Sequence, residues 1–191
     1  VIDYDKYIEI IKSRLSEPRF AHSINVSLAA AELAKKYGAD ESKARLAGIL
    51  HDITKETPLE EQYKYIYDSG GTLSKLELNS RFVIHQRSGA AYCRLVLGID
   101  DEEVLGAIRY HTTGKRGMSL LERVVYTADF ISADRNYPDV EKMRSLASVS
   151  LEEAMLYSLK FTINMRVGEG SLLHPDTLDC YNDLLEEKIK E

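Results

Sequence analysis

The chain has 191 residues, with 25 Lys and Arg against 31 Asp and Glu, and a formal charge of −6 at pH 7. Hydrophobic residues make up 44% and charged residues 29%, the mix of a soluble globular domain long enough to bury a core. The acidic balance argues against a general nucleic-acid binder, and no apolar run approaches the ~20 residues of a membrane span.

Helix signals run from end to end, and strand signals are scarce. Tyr4, Tyr7, Ile8, Ile11 and Leu15 recur with a 3/4 period, so 3–15 is expected to be an amphipathic helix. Ser16-Glu17-Pro18 opens a second, whose apolar stripe passes through Val26, Ala29, Ala30 and Leu33 and ends at Gly38. Asp40 can cap a third running to about Ile53. Thr57-Pro58-Leu59-Glu60 has the form of a capping box for a helix that stops at Gly70-Gly71. Residues 72–80 are ambiguous, and a helix from about Arg81 to Leu97 closes at Gly98. Asp100 with Glu103 opens a helix through His111, and Ser119 with Glu122 is a capping box for one through Ile131. Pro138 precedes a short helical stretch near 139–147, Ser150 with Glu153 opens 151–167 before Gly168, and Pro175 starts the last helix. Short joints and the absence of a repeat or linker imply one all-α helical bundle spanning 1–191. The opening Val1-Ile2-Asp3-Tyr4-Asp5 lacks the form of a signal peptide. Cys93 and Cys180 make no C-x-x-C pair or disulfide framework, which fits a cytoplasmic protein.

The chain has five histidines. His22 shares a face with Val26 and Ala29, His51 with Ala47 and Ala44, His85 with Ser88, Gly89 and Tyr92, and His111 with Val104, Ala107 and Ile108. Four imidazoles on four helices thus face inward. His174, before Pro175 and without such a stripe, is expected to be a surface or capping residue. Two acids, Asp52 and Asp129, also lie within apolar runs. One buried carboxylate can be held by an Arg, but two beside four core-facing imidazoles point to a shared cation. Imidazole with carboxylate suits Fe, Mn, Zn, Co or Ni, and six inner side chains exceed a four-ligand structural zinc site. If Asp52 bridges, then His22, His51, Asp52 and Asp129 can hold one ion, and Asp52, His85 and His111 a second. Two ions ~3.5–4 Å apart polarise a phosphoryl group and generate hydroxide at neutral pH.

The order His22, then His51-Asp52, then Asp129 resembles the H…HD…D signature of the HD-domain metal-dependent phosphohydrolases. With His85 and His111 inserted before the last Asp, it is similar to their dinuclear branch. The strings Arg19-Phe20-Ala21-His22-Ser23, Ala47 to Lys55, His111-Thr112-Thr113-Gly114 and Tyr126 to Ile131 resemble the bacterial YqeK family over about residues 15–145. The resemblance implies symmetrical cleavage of diadenosine tetraphosphate to two ADP at a site of two divalent metal ions, iron above all. The helices of 150–191 would then pack on the metal-binding part. Where that family carries a Glu-Pro turn before an Arg, this chain has Ser132-Ala133-Asp134-Arg135, so only Arg135 matches.

On this reading the nucleophile is a metal-bridging hydroxide, with Asp52 and Lys55 as the catalytic side chains. Lys55, one turn after Asp52, is a candidate to bind phosphate and offset transition-state charge. Arg19, one turn before His22, and Arg135 are candidate phosphate clamps, as is Arg81, one turn before His85, more weakly. Thr112 and Thr113 can bond phosphate or cap the turn, and Asp134 is a candidate proton donor. Tyr63, Tyr65, Tyr67 and Tyr110 suit core packing better than base stacking, so no base-binding residue is assigned. The expected partner is a small nucleotide, with neither nucleic acid nor membrane; a homodimer is compatible. The competing readings are a phosphatase or pyrophosphatase of other nucleotides, alarmones included, and a metal-nucleotide sensor without turnover. A cyclic-dinucleotide phosphodiesterase is disfavoured by the absence of a G-Y-P string.

Overall fold

Every regular element in residues 2–189, which the computed structural model describes, is a helix. They are α1 (Tyr4–Arg14), α2 (Glu17–Tyr37), α3 (Glu41–Leu50), α4 (Leu59–Asp68), α5 (Lys75–Leu78), α6 (Arg81–Leu95), α7 (Glu102–Tyr110), α8 (Leu120–Ile131), α9 (Val140–Ala147), α10 (Leu151–Gly168) and α11 (Pro175–Ile189). No helix among them is long and apolar enough to cross a membrane. The fold class is all-α, as the 3/4 periods require.

The local signals explain most boundaries. Asp3 and Asp40 cap α1 and α3 by accepting backbone N–H bonds, and Ser119 with Glu122 closes a reciprocal capping box on α8. Gly38 ends α2 in the left-handed region at φ 83°, where a side chain would be strained. Several expectations shift. Asp101, not Asp100, caps α7 through Glu103 and Val104 N–H. Thr57 makes no capping box: its hydroxyl is bonded by Arg14 Nη2 at 3.1 Å, and Pro58 becomes the N-cap of α4. The ambiguous 72–80 stretch contains the one-turn α5, closed by a Ser74–Glu77 capping box. α6 ends at Leu95, two residues short of Leu97. Gly168 is the last residue of α10, and the left-handed turn falls at Gly170. The largest correction concerns α3, which stops at Leu50 instead of Ile53. His51 and Asp52 lie in the turns that follow, tied by Ile53 N–H to Leu50 O and Lys55 N–H to Asp52 O.

Packing decides how close the helices come. α2 packs on α3 and α8, and α7 bridges α3, α6 and α8. The α2–α3 approach is tight because Gly48 lacks a side chain: a Cβ there would lie 2.6 Å from Ser27 Cα. A main core of Ile11, Val26, Ile49, Ile53, Ile108, Val124 and their neighbours fills the bundle. A smaller cluster, including Met118, Tyr126, Met155, Leu159, Cys180 and Leu184, seats α10 and α11. Cys93 and Cys180 are both buried free thiols.

Candidate metal centre

Five elements bring the inner polar residues together. His22 comes from the second turn of α2, His85 from α6 and Asp129 from the last turn of α8. His51 and His111 sit just past the ends of α3 and α7, each still in the right-handed helical conformation. The last carbonyls of a helix have no intrahelical donor. His51 Nδ1–H donates to one of them, Gly48 O, at 2.7 Å, and His111 Nδ1–H to Ile108 O at 2.8 Å. Each bond fixes the tautomer and leaves Nε2 with a free lone pair. His22 reaches the same state differently, through Nδ1 to Asp134 Oδ2 at 2.8 Å.

The freed Nε2 atoms converge with the carboxylates. His22 Nε2 is 2.9 Å from Asp129 Oδ1. Asp52 Oδ2 faces His51 Nε2 at 3.6 Å, while its Oδ1 lies 3.2 Å from His85 Nε2 and 3.6 Å from His111 Nε2. The Nε2 atoms of His85 and His111 are 3.0 Å apart. Donor atoms ~2 Å from one ion stand about 3 Å from each other, so this spacing is that of ligands around a cation. Two sets have their donor atoms mutually within 4.8 Å: His22, His51 and Asp129, and His51, Asp52 and His111. The carboxylate of Asp52 thus has one oxygen toward each half of the cluster. His51 is wholly buried, and His22 Nε2, His51 Nε2 and Asp52 Oδ1 are buried atoms with no hydrogen bond of proper geometry. Buried polar atoms seldom remain so, and their convergence fits a bound transition-metal ion.

The electrostatics agree. Burial pushes His51 down to about 4 and His85, with help from Lys55, to about 3, so both are neutral. Burial disfavours the ionised Asp52, but His51, His111 and His85 hold it well below the usual carboxylate range. His22 and Arg135 do the same for Asp129. Neutral imidazoles and ionised carboxylates are the forms a metal binds. His22 differs: burial opposes its charge, but Asp129 and then Asp134 raise its pKa.

The expected phosphate residues divide into three groups. Lys55 Nζ lies 3.1 Å from His85 Nε2 and 3.9 Å from Asp52 Oδ1, and Thr112 Oγ1 lies 3.2 Å from His85 Nε2. Arg19 Nη1 bonds Asp52 Oδ2 at 3.1 Å, and Arg135 grips both the backbone oxygen and the carboxylate of Asp129. These four line one cleft with Asp52 and Asp129. Arg81, at the start of α6, is exposed and does not line it. Thr113 is buried and turned to Gly114 O, so it closes the turn. Asp134 orients His22 instead of standing free. His174 caps α11 by accepting Asp176 N–H, but its side chain is only 11% exposed, so it is no surface residue.

Two features lay outside the sequence reading. Gln86, fully buried beside His85, accepts both Thr112 and Thr113 N–H through Oε1 and so holds the turn after His111. The cleft, of about 270 Å³, continues from the imidazole–carboxylate cluster onto an aromatic wall of Phe82, Phe130, Tyr137, Tyr157 and Phe161. Tyr137 and Phe161 stack at 6.3 Å, and Phe161 is half-exposed. The tyrosines singled out from sequence lie elsewhere; Tyr65, for example, packs edge-on against Tyr92. The available signal was the Tyr157, Phe161, Met165 stripe on one face of α10.

Comparison with known proteins places these features. The family model described as HD domain matches residues 19–134. A Halalkalibacterium halodurans protein named symmetrical bis(5'-nucleosyl)-tetraphosphatase is 41% identical, covering 96% of this chain and 97% of its own. A Bacillus subtilis protein of the same name is 37% identical over 95% of this chain and 97% of its own. A solved Clostridium acetobutylicum structure, described as a predicted HD superfamily hydrolase involved in NAD metabolism, superposes with a TM-score of 0.94. It is 36% identical and covers 98% of this chain and 99% of that one.

Proposed function

The chain belongs to the HD-domain family, and on that premise we propose that it hydrolyses dinucleoside tetraphosphates symmetrically, cutting diadenosine tetraphosphate into two ADP. The observation that carries this reading is the single cleft in which a buried imidazole–carboxylate cluster faces cations at one end and an aromatic wall at the other. Relatives bearing the activity's name align over nearly the whole chain. On this proposal residues 1–191 form one domain, with the metal-binding part within about 15–145 and the helices of 150–191 packed on it. The setting is cytoplasmic, in keeping with the buried free thiols.

Two divalent transition-metal ions fit the donor set, iron foremost, with Mn, Co, Ni and Zn sharing its ligand chemistry. His22, His51, Asp52 and Asp129 would hold one; Asp52, His85 and His111 would hold the other. Bound there, they polarise a phosphoryl oxygen and supply a hydroxide near neutral pH. The protein's own groups do the rest. Asp52, with one carboxylate oxygen toward each half of the cluster, would be the shared ligand. Lys55, buried against His85 and Asp52, sits where charge develops on the leaving diphosphate, and Arg19, Thr112 and Arg135 hold the polyphosphate in the cleft. Phe82, Tyr137 and Phe161 offer π-faces to one adenine.

A substrate screen on purified, metal-assayed protein tests this. Diadenosine tetraphosphate should turn over far faster than ATP, AMP or an alarmone. Faster turnover of a mononucleotide would make the protein a general nucleotidase, and metal-loaded protein without turnover would make it a sensor.

A further inference from the structure

On the other side of α6 and α7 from the metal cluster lies a second cavity, of about 400 Å³. Four cations line it: Arg87, Arg94, Arg109 and Lys115. Three have carboxylate partners. Arg87 meets Glu77 at 2.6 Å, Arg94 meets Glu102 at 2.7 Å, and Lys115 meets Glu122 at 3.2 Å. Arg109 has none within ion-pair distance among the described residues, and its Nη1 is buried with no hydrogen-bond partner. A positive charge held there beside Arg87 is costly. A guanidinium cannot escape that cost by losing its proton. Arg109 is partly exposed, but a guanidinium nitrogen buried without a partner carries a cost that an anion relieves.

We propose that this cavity is a second ligand site, at which Arg109 binds the phosphate group of a small molecule. The guanidinium fork matches phosphate oxygens, and one phosphate neutralises the one cation left unpaired. The cavity is larger than phosphate alone needs. Its aromatic member, Tyr110, is approached by Arg109 at 4.7 Å and by Lys115 at 4.9 Å from the ring centre. Free phosphate and a mononucleotide therefore share the required chemistry. The site stands apart from the catalytic cleft, with no lining residue in common.

Equilibrium dialysis of the metal-loaded full chain against radiolabelled inorganic phosphate tests the proposal. The wild type should show two classes of site. Arg109→Gln should weaken one by at least about tenfold, the loss expected for a charge-assisted hydrogen-bonded pair, while its turnover in phosphate-free buffer stays at the wild-type value. Lys55→Ala should retain the site that Arg109→Gln loses. A thermal melt guards against a folding artefact. Without anion, Arg109→Gln should be at least as stable as the wild type, because it removes an unpaired guanidinium from the cavity, and added phosphate should raise the melting temperature of Lys55→Ala more than that of a Lys55→Ala/Arg109→Gln double variant. Repeating the dialysis with AMP separates the sources: tighter binding than phosphate assigns a mononucleotide, and equal binding assigns free phosphate. Unchanged phosphate binding in Arg109→Gln, or a melting temperature several degrees below wild type in anion-free buffer, would overturn the proposal.

Discussion

Three of the four inner imidazoles are aimed by what their Nδ1 atoms bond: Gly48 O, Ile108 O and the Asp134 carboxylate. The carbonyls cannot be removed by mutation, but Asp134 can. Asp134→Asn should weaken metal binding by roughly 10–100-fold, the usual effect of losing a partner that orients a ligand, with the fold intact by circular dichroism. Metal titration of the chelator-stripped protein reads it; wild-type affinity in the variant would remove Asp134 from the account. Lys55→Ala should lower kcat by roughly 10²–10³-fold with metal content unchanged, which steady-state kinetics alongside elemental analysis can separate. At this scale much was legible beforehand. Inward placement of His22, His51, Asp52, His85, His111 and Asp129 follows from which face each shares with apolar neighbours. The partner of His22 was not legible, because Asp134 lies 112 positions away and only the folded chain brings them together.

At the scale of elements, the cluster depends on how closely α2 and α3 meet. Gly48→Ala would push a methyl to within 2.6 Å of Ser27 Cα, a backbone atom with no freedom to move. Overpacking of this kind costs about 1–3 kcal/mol, so the urea midpoint should fall accordingly. Gly48 O also holds His51, so metal affinity should drop in the same variant. An unchanged midpoint would show that the helices can part there without strain. A second element-scale device is the Ser74–Glu77 box on α5, whose acid also meets Arg87. Burial would raise the pKa of Glu77, but Ser74 and Arg87 lower it below 4.5. Its stabilisation is therefore present above the unfolded pKa and is lost as pH falls through the lower folded value. Glu77→Gln should cost about 1–3 kcal/mol at neutral pH and progressively less as acid protonates Glu77, measured by denaturant unfolding across pH. An equal cost at both ends would assign the effect to packing. α5 is not legible in the sequence because one turn carries no period, and the pattern of α3 extends to Ile53 because apolar residues continue through turns that are no longer α-helical.

Across the whole molecule, the cleft joins parts that the sequence keeps far apart. The charged end draws on α2, the turns after α3 and α7, and α8, whereas the aromatic wall draws on α6, the end of α8 and the segment after it, and α10. Motif strings made the first half legible. The second depends on the smaller cluster of Tyr126, Met155 and Leu159 seating α10 against α8, and no local pattern states that contact. On the proposed function the cleft would hold one adenosine on the aromatic wall and the polyphosphate between Lys55, Arg19 and the imidazole–carboxylate cluster. Cleavage should then fall at the middle of the chain. The most direct measurement is chromatography of the earliest products from diadenosine tetraphosphate hydrolysed in ¹⁸O-labelled water. ADP alone, with the label in one of each pair of ADP molecules formed, is the expected result; AMP together with ATP would contradict the symmetrical cut.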